Sequence, residues 1–266
     1  MKKKKMILVL IILLLTTAAL CGFFYIRAYI TAQQEVSEYS KVQQEHTTIV
    51  AAPVYEPTVS PDAAPAETTL FPYILVDFDA LLLENPDTVG WLAIPDTVIN
   101  YPVVQTTDNI KYLNVSFQGN RSSAGAPFAN KDNNMRDLDA NTVIYGHNMG
   151  FGRQDMFGAL LSYKDSDFYA AHRYLQFDTV YQTHGWWKVF AVISYDLSAD
   201  GFQYQQLQFT GTDGFIAWVK TALELSLYGS DTEISPDDHI LTLSTCDRSK
   251  YGKNGRLLVL AVDITD

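Results

Sequence analysis

The chain has 266 residues, 47% hydrophobic, 18% charged and 13% aromatic, with a formal net charge of −11. That length fits one catalytic-sized domain with attachments, and the aromatic content excludes a disordered or collagenous chain. The acidic balance argues against nucleic acid, which needs clustered Lys and Arg against its phosphates, and two cysteines exclude a disulfide-stapled scaffold.

Lysines at 2–5 precede an apolar run over residues 6–26, which is closed by Arg27. As a helix this run spans roughly 31 Å at about 1.5 Å per residue, enough to cross a bilayer. Its lysines put residues 1–5 in the cytoplasm and everything after Arg27 outside the cell. A cleaved signal peptide is the competing reading. The apolar stretch is longer than the usual signal core, however, and Phe23, Phe24 and Tyr25 carry it past the small residues at 16–19. A lipid-modified Cys21 is disfavoured by bulky Leu20 before it. An uncleaved transmembrane anchor at 6–26 is therefore expected.

Residues 27–69 read as an extracellular stalk. Between 32 and 68 Gln, Glu, Ser, Thr and Ala dominate, with Pro53, Pro57, Pro61 and Pro65 at intervals of four. Such a composition buries little and is expected to stay extended. Residues 70–266 are then the globular domain. It carries 13 basic and 24 acidic residues and so accounts for the whole charge of −11, since anchor and stalk cancel. An acidic external domain suits a cationic or neutral partner.

Leu75, Phe78, Leu81 and Leu82 recur at helical spacing over 74–85, with Pro86 as a stop. Strand-like runs follow at 89–94, 98–104, 126–129, 142–145, 174–177, 187–195, 240–245 and 257–264. Each is β-branched or aromatic and bounded by Gly, Pro, Asn or Asp, the pattern of a mainly β sandwich or barrel. Two helices interrupt them: a short one at 156–163 and a longer one at 213–227. The longer one carries Phe215, Ile216, Val219, Leu223 and Leu227 as a core-facing stripe, with Thr212 as its N-cap.

Cys21 falls in the apolar segment, so Cys246 has no partner within the chain. Exported cysteines are usually paired, and a lone one invites a chemical reading. It sits where the strand Leu241-Thr242-Leu243-Ser244-Thr245 gives way to Asp247 and a polar loop; a buried structural cysteine is the bland alternative. A thiol nucleophile needs a base or cation nearby. Of five histidines, His147 stands out, because it follows the strand Thr142-Val143-Ile144-Tyr145 directly after Gly146. Acyl transfer also needs a donor for the developing oxyanion. Arg256 opens the last strand among apolar neighbours and suits that role better than Arg248 in its polar loop.

These residues together resemble the sortases, membrane-anchored transpeptidases of Gram-positive surfaces. The likeness rests on His147 within Ile144-Tyr145-Gly146-His147-Asn148, on Thr242-Leu243-Ser244-Thr245-Cys246, and on the arginine ten residues after that cysteine. Gly90-Trp91-Leu92-Ala93-Ile94-Pro95, Asn100-Tyr101-Pro102-Val103-Val104-Gln105, and Asp108-Asn109 followed by Tyr112-Leu113 echo the class B subgroup. The resemblance implies a closed eight-stranded β-barrel with a few helices, in which Cys246, His147 and Arg256 converge. It also implies a thioacyl intermediate, formed on the Thr carbonyl of a C-terminal sorting motif (NPxTx-like) of surface proteins. An amine of a peptidoglycan precursor or cross-bridge would resolve that intermediate. By the same resemblance Asn109, Leu113, Ser244 and Thr245 hold the sorting peptide; Asp247 either orients the histidine or touches substrate. No cofactor or metal is implied.

Two other readings compete. A secreted cysteine protease of papain-like or amidase-like type would place its cysteine before its histidine, the reverse of the order here. A non-catalytic adhesin or scaffold on the same anchor would not require Cys246, His147 and Arg256 together.

Overall fold

The computed structural model describes residues 2–50, 72–150, 152–182, 185–199 and 201–264. The chain divides into two compact units, Met1–Lys41 and Val42–Asp266. The first unit is helical, within α1 (Lys2–His46). Among the described residues α1 is the one helix long and apolar enough to cross a membrane, and its large apolar side chains, Leu14 and Phe24 among them, are exposed.

The segment expected to be extended from residue 32 is instead helical as far as His46. Tertiary contacts override its polar composition. Val42 is fully buried, Gln43 Nε2 donates to the Asn100 carbonyl at 2.6 Å, and His46 Nε2 meets Glu84 Oε2 at 2.9 Å. Then β1 (Thr47–Val50) pairs antiparallel with β2 (Tyr73–Val76). The compact unit thus starts at Val42, ahead of the expected boundary at 70; the remainder of the stalk reading, 51–69, lies outside the described residues.

The helix expected over 74–85 is divided. Residues 73–76 form β2, which Gln176 grips through both backbone groups of Ile74, at 2.9 and 2.7 Å. Asp77 then caps α2 (Phe78–Glu84) by accepting from the Ala80 amide. The apolar spacing alone fitted one helix, but the Asp77 carboxylate starts it three residues after Ile74.

Eight strands close into a barrel: β3 (Thr88–Ala93), β4 (Asn100–Val104), β5 (Phe128–Ala129), β6 (Asn141–Tyr145), β7 (Tyr174–Thr179), β8 (Trp186–Asp196), β9 (Ile240–Cys246) and β10 (Gly255–Asp263). Their order around it is β10-β8-β7-β3-β4-β5-β6-β9. Each falls on one of the eight strand-like runs of the sequence. Two neighbouring pairs, β4 with β5 and β6 with β9, are parallel; the other pairs are antiparallel. Closure leaves the barrel itself without a free edge to template aggregation.

The short helix expected at 156–163 is a 3₁₀ segment, Phe157–Lys164, and runs into α3 (Ser166–Ala171). The longer one is α4 (Gly211–Leu225), which buries Phe215, Trp218, Val219 and Ala222 against Val143, Phe190 and Leu258. It stops before Leu227 because β8 captures the chain there. The Leu227 amide donates to the Val192 carbonyl, and Ser226 Oγ accepts from the Val192 amide. Thr210, not Thr212, stands at the N-cap, without a side-chain cap bond. Between β9 and β10 lies the short α5 (Arg248–Tyr251), capped by Asp247.

Candidate active site

Three adjacent strands set the site. The parallel ladder of β6 and β9 pairs Tyr145 with Ser244. It is prolonged by the Gly146 amide donating to the Ser244 carbonyl at 3.2 Å and by Thr245 Oγ1 donating to the Gly146 carbonyl at 2.8 Å. His147, the next residue of the β6 chain, therefore comes alongside Cys246 at the end of β9. On the other side of β9, Arg256 of β10 stands directly opposite Cys246. Directly paired residues project to the same face of a sheet. Cys246, His147 and Arg256 accordingly line one cleft of about 320 Å³.

Two glycines make this approach feasible. A Cβ on Gly146 would lie 2.4 Å from the Phe157 ring, and one on Gly255 would lie 1.9 Å from the Asp247 carbonyl oxygen. Gly146 thus admits the ring beneath the histidine turn. Gly255 lets β10 start hard against the end of β9, where its amide plane meets the Asp247 amide (Asp247 N–H to Gly255 O, 3.0 Å).

His147 Nε2 lies 2.8 Å from the Leu113 carbonyl oxygen. A carbonyl only accepts, so in the neutral ring Nε2 carries the proton and Nδ1 keeps the lone pair. A backbone carbonyl here takes the orienting role that a carboxylate plays in other thiol sites. Arg256 Nη1 donates to the Gly255 and Lys253 carbonyls at 2.8 and 3.2 Å. Both bonds fix the guanidinium without neutralising it.

Asn109, Leu113, Ser244 and Thr245 line the cleft. Asn109 Oδ1 accepts from the Lys131 amide at 2.8 Å. Asp247 does not line it. It lies just past the end of β9 as the N-cap of α5, only 3% exposed, where it binds Lys164 Nζ at 2.9 Å and accepts from Ser249. Burial opposes its ionisation, yet the bonds from Ser249 and Lys164 prevail and hold its carboxyl below the usual range. Neither of the two roles weighed for Asp247 fits these contacts. Arg248 is exposed on α5 and does not line the cleft either.

Residues the sequence reading missed complete the walls: Phe128, Tyr145, Leu197, Tyr204 and Gln205. Tyr145 accepts from Asn130 and Gln205 at 3.0 and 2.6 Å, and burial pushes its phenol up to about 12. Burial likewise raises Tyr204, against a hydrogen bond with Ser244 and the pull of the Arg256 cation. Tyr145 could have been found from its place in the Tyr145-Gly146-His147 string. Tyr204 and Gln205 lie in a long connection with no periodic signal. Among the described residues no group of three or more His, Cys, Asp and Glu could hold a metal ion.

A thiol, an imidazole and a guanidinium thus share one cleft where β6 and β9 end and β10 begins, on a closed eight-stranded barrel. The sortase domain family matches residues 92–264, and the chain belongs to the sortase family. It is 38% identical to Sortase B of Listeria monocytogenes over 66% of this chain and 69% of that protein. Among solved structures it is similar to sortase B from Bacillus anthracis in complex with AAEK1, with a TM-score of 0.69 and 28% identity over 90% of this chain and all of that one. The Staphylococcus aureus sortase B–substrate complex is also similar, with a TM-score of 0.64 and 30% identity over 71% of this chain and 84% of that one.

Proposed function

We propose that the chain is a membrane-anchored cysteine transpeptidase of class B type, which cleaves an NPxTx-like C-terminal sorting motif of surface proteins and joins them to a cell-wall amine. The observation that carries this reading is the register across three strands, with Cys246 opposite Arg256 and beside His147 in one cleft. The Cys246 thiol passes its proton to His147 Nδ1, the thiolate attacks the threonine carbonyl, and the carbonyl oxygen becomes an oxyanion facing Arg256. Collapse forms a thioester and breaks the peptide bond, with His147 giving its proton to the leaving amine. The acceptor amine then attacks the thioester and surrenders a proton to His147. The new amide leaves and the pair of Cys246 thiolate and His147 imidazolium is restored, so no cofactor is consumed. Apolar Leu113, Phe128 and Leu197 with the amides of Asn109 and Gln205 suit an uncharged peptide. The sortase B–substrate complex of a relative supports a peptide in the corresponding cleft.

The test is Cys246→Ala on a labelled sorting peptide. Cleavage and the covalent thioacyl adduct should both vanish. Appreciable turnover by the folded variant would refute the reading.

A further inference from the structure

Backbone pairing between the two catalytic strands ends one residue short of the chemistry. The last ladder bond of β6 and β9 runs from the Gly146 amide to the Ser244 carbonyl. Past that point a side chain takes over. Asn148 Nδ2 donates to the Cys246 carbonyl at 2.8 Å, while Asn148 Oδ1 accepts from the Gly150 amide at 2.8 Å. Asn148 is itself fixed at the neck of a loop. It forms an antiparallel bridge with Met156, and the Phe157 amide donates to the His147 carbonyl at 2.9 Å. The residue adjoining the imidazole thus holds the backbone of the residue bearing the thiol.

We infer that Asn148 is a positioning residue, whose amide adds one rung to the β6–β9 ladder and so sets the spacing of Cys246 and His147. This rests on the reading of Cys246 as the nucleophile. The chemistry of the side chain is specific: at this length it needs a donor for one carbonyl and an acceptor for one amide, and asparagine offers both. Aspartate keeps the acceptor for Gly150 and loses the donor toward Cys246. Alanine loses both. Asn148→Asp therefore separates the tether from the turn that Gly150 completes.

The experiment compares Asn148→Asp, Asn148→Ala and Cys246→Ala with the parent on one sorting peptide, reading kcat and KM separately. It also follows the pH dependence of Cys246 alkylation by iodoacetamide and the melting temperature. A displacement of about 1 Å between reacting groups costs up to roughly 100-fold in rate. Both Asn148 variants should lose about 10- to 100-fold in kcat, with KM within about twofold and a displaced alkylation profile. Asn148→Asp should melt close to the parent, since its Gly150 bond survives. The inference is overturned if kcat stays within about twofold in both variants. It is equally overturned if KM alone rises, or if the rate loss comes with an unchanged alkylation profile and a lowered melting temperature. Turnover by Cys246→Ala would instead remove the reading of the nucleophile, so the two failures are distinguishable.

Discussion

At Cys246 the thiol has a cation opposite it on β10 and an imidazole beside it on the chain leaving β6. The proposed division of labour assigns His147 the proton transfers, worth about 10²–10⁴ in rate. It assigns Arg256 the oxyanion, worth roughly 3–4 kcal/mol by analogy with other oxyanion donors. Lysine at 256 keeps the charge without the planar fork and should rescue poorly. Arg248 is exposed on α5, outside the cleft, so Arg248→Ala should lower kcat/KM far less than Arg256→Ala does. If Arg248→Ala is the more damaged folded enzyme, the oxyanion assignment is wrong. The pattern of residues pointed to Cys246, His147 and Arg256, and the fold brings the three to one cleft. That pattern did not separate Thr245, in the cleft, from Asp247, which serves Lys164 and Ser249. Strand alternation alone would put Thr245 and Asp247 on one face; they part because β9 ends at Cys246 and Asp247 turns away as the N-cap of α5.

The strands were legible because their β-branched and aromatic runs sit between turn residues, and the barrel uses each of those runs. The failures came where a short apolar run fitted two periods. Residues 73–76 read as the start of a helix until β1 and Gln176 claimed their backbone. The junction of β9 and β10 shows how far an element boundary matters to chemistry. Gly255 lies where any Cβ would overlap the Asp247 carbonyl at 1.9 Å, and the contact is with backbone, which cannot swing aside. Gly255→Ala should destabilise the domain by about 1–3 kcal/mol through overpacking. It should also lower kcat more than KM, because Arg256 is the next residue along the strand. A thermal melt together with steady-state kinetics checks both; parent-like values in each would show that the junction tolerates the methyl group.

On the scale of the whole chain, the helix that holds the apolar stretch begins with lysines and carries no acidic residue in its first turn. We propose that it stays in the membrane with its N-terminus in the cytoplasm and the barrel outside. Fractionation should recover full-length protein with membranes, and protease added outside intact cells should release the domain. Mature protein in the medium, starting near residue 22, would contradict the anchor. The acidic balance of the domain, −11 across residues 69–266, repels anionic surfaces and supports the proposed amine acceptor.

The sequence by itself determined the apolar segment and the mainly β architecture, because hydropathy period and strand-forming runs are local properties of the chain. Tertiary structure alone decided that α1 runs on to His46, that Tyr204 and Gln205 wall the cleft, and that Asn148 reaches the Cys246 carbonyl. The reason is that each depends on a partner distant in sequence: Asn148 meets a residue 98 positions away, and Gln205 meets Tyr145 across 60. Such contacts are set by barrel closure and strand register, which leave no periodic trace in the residues they join.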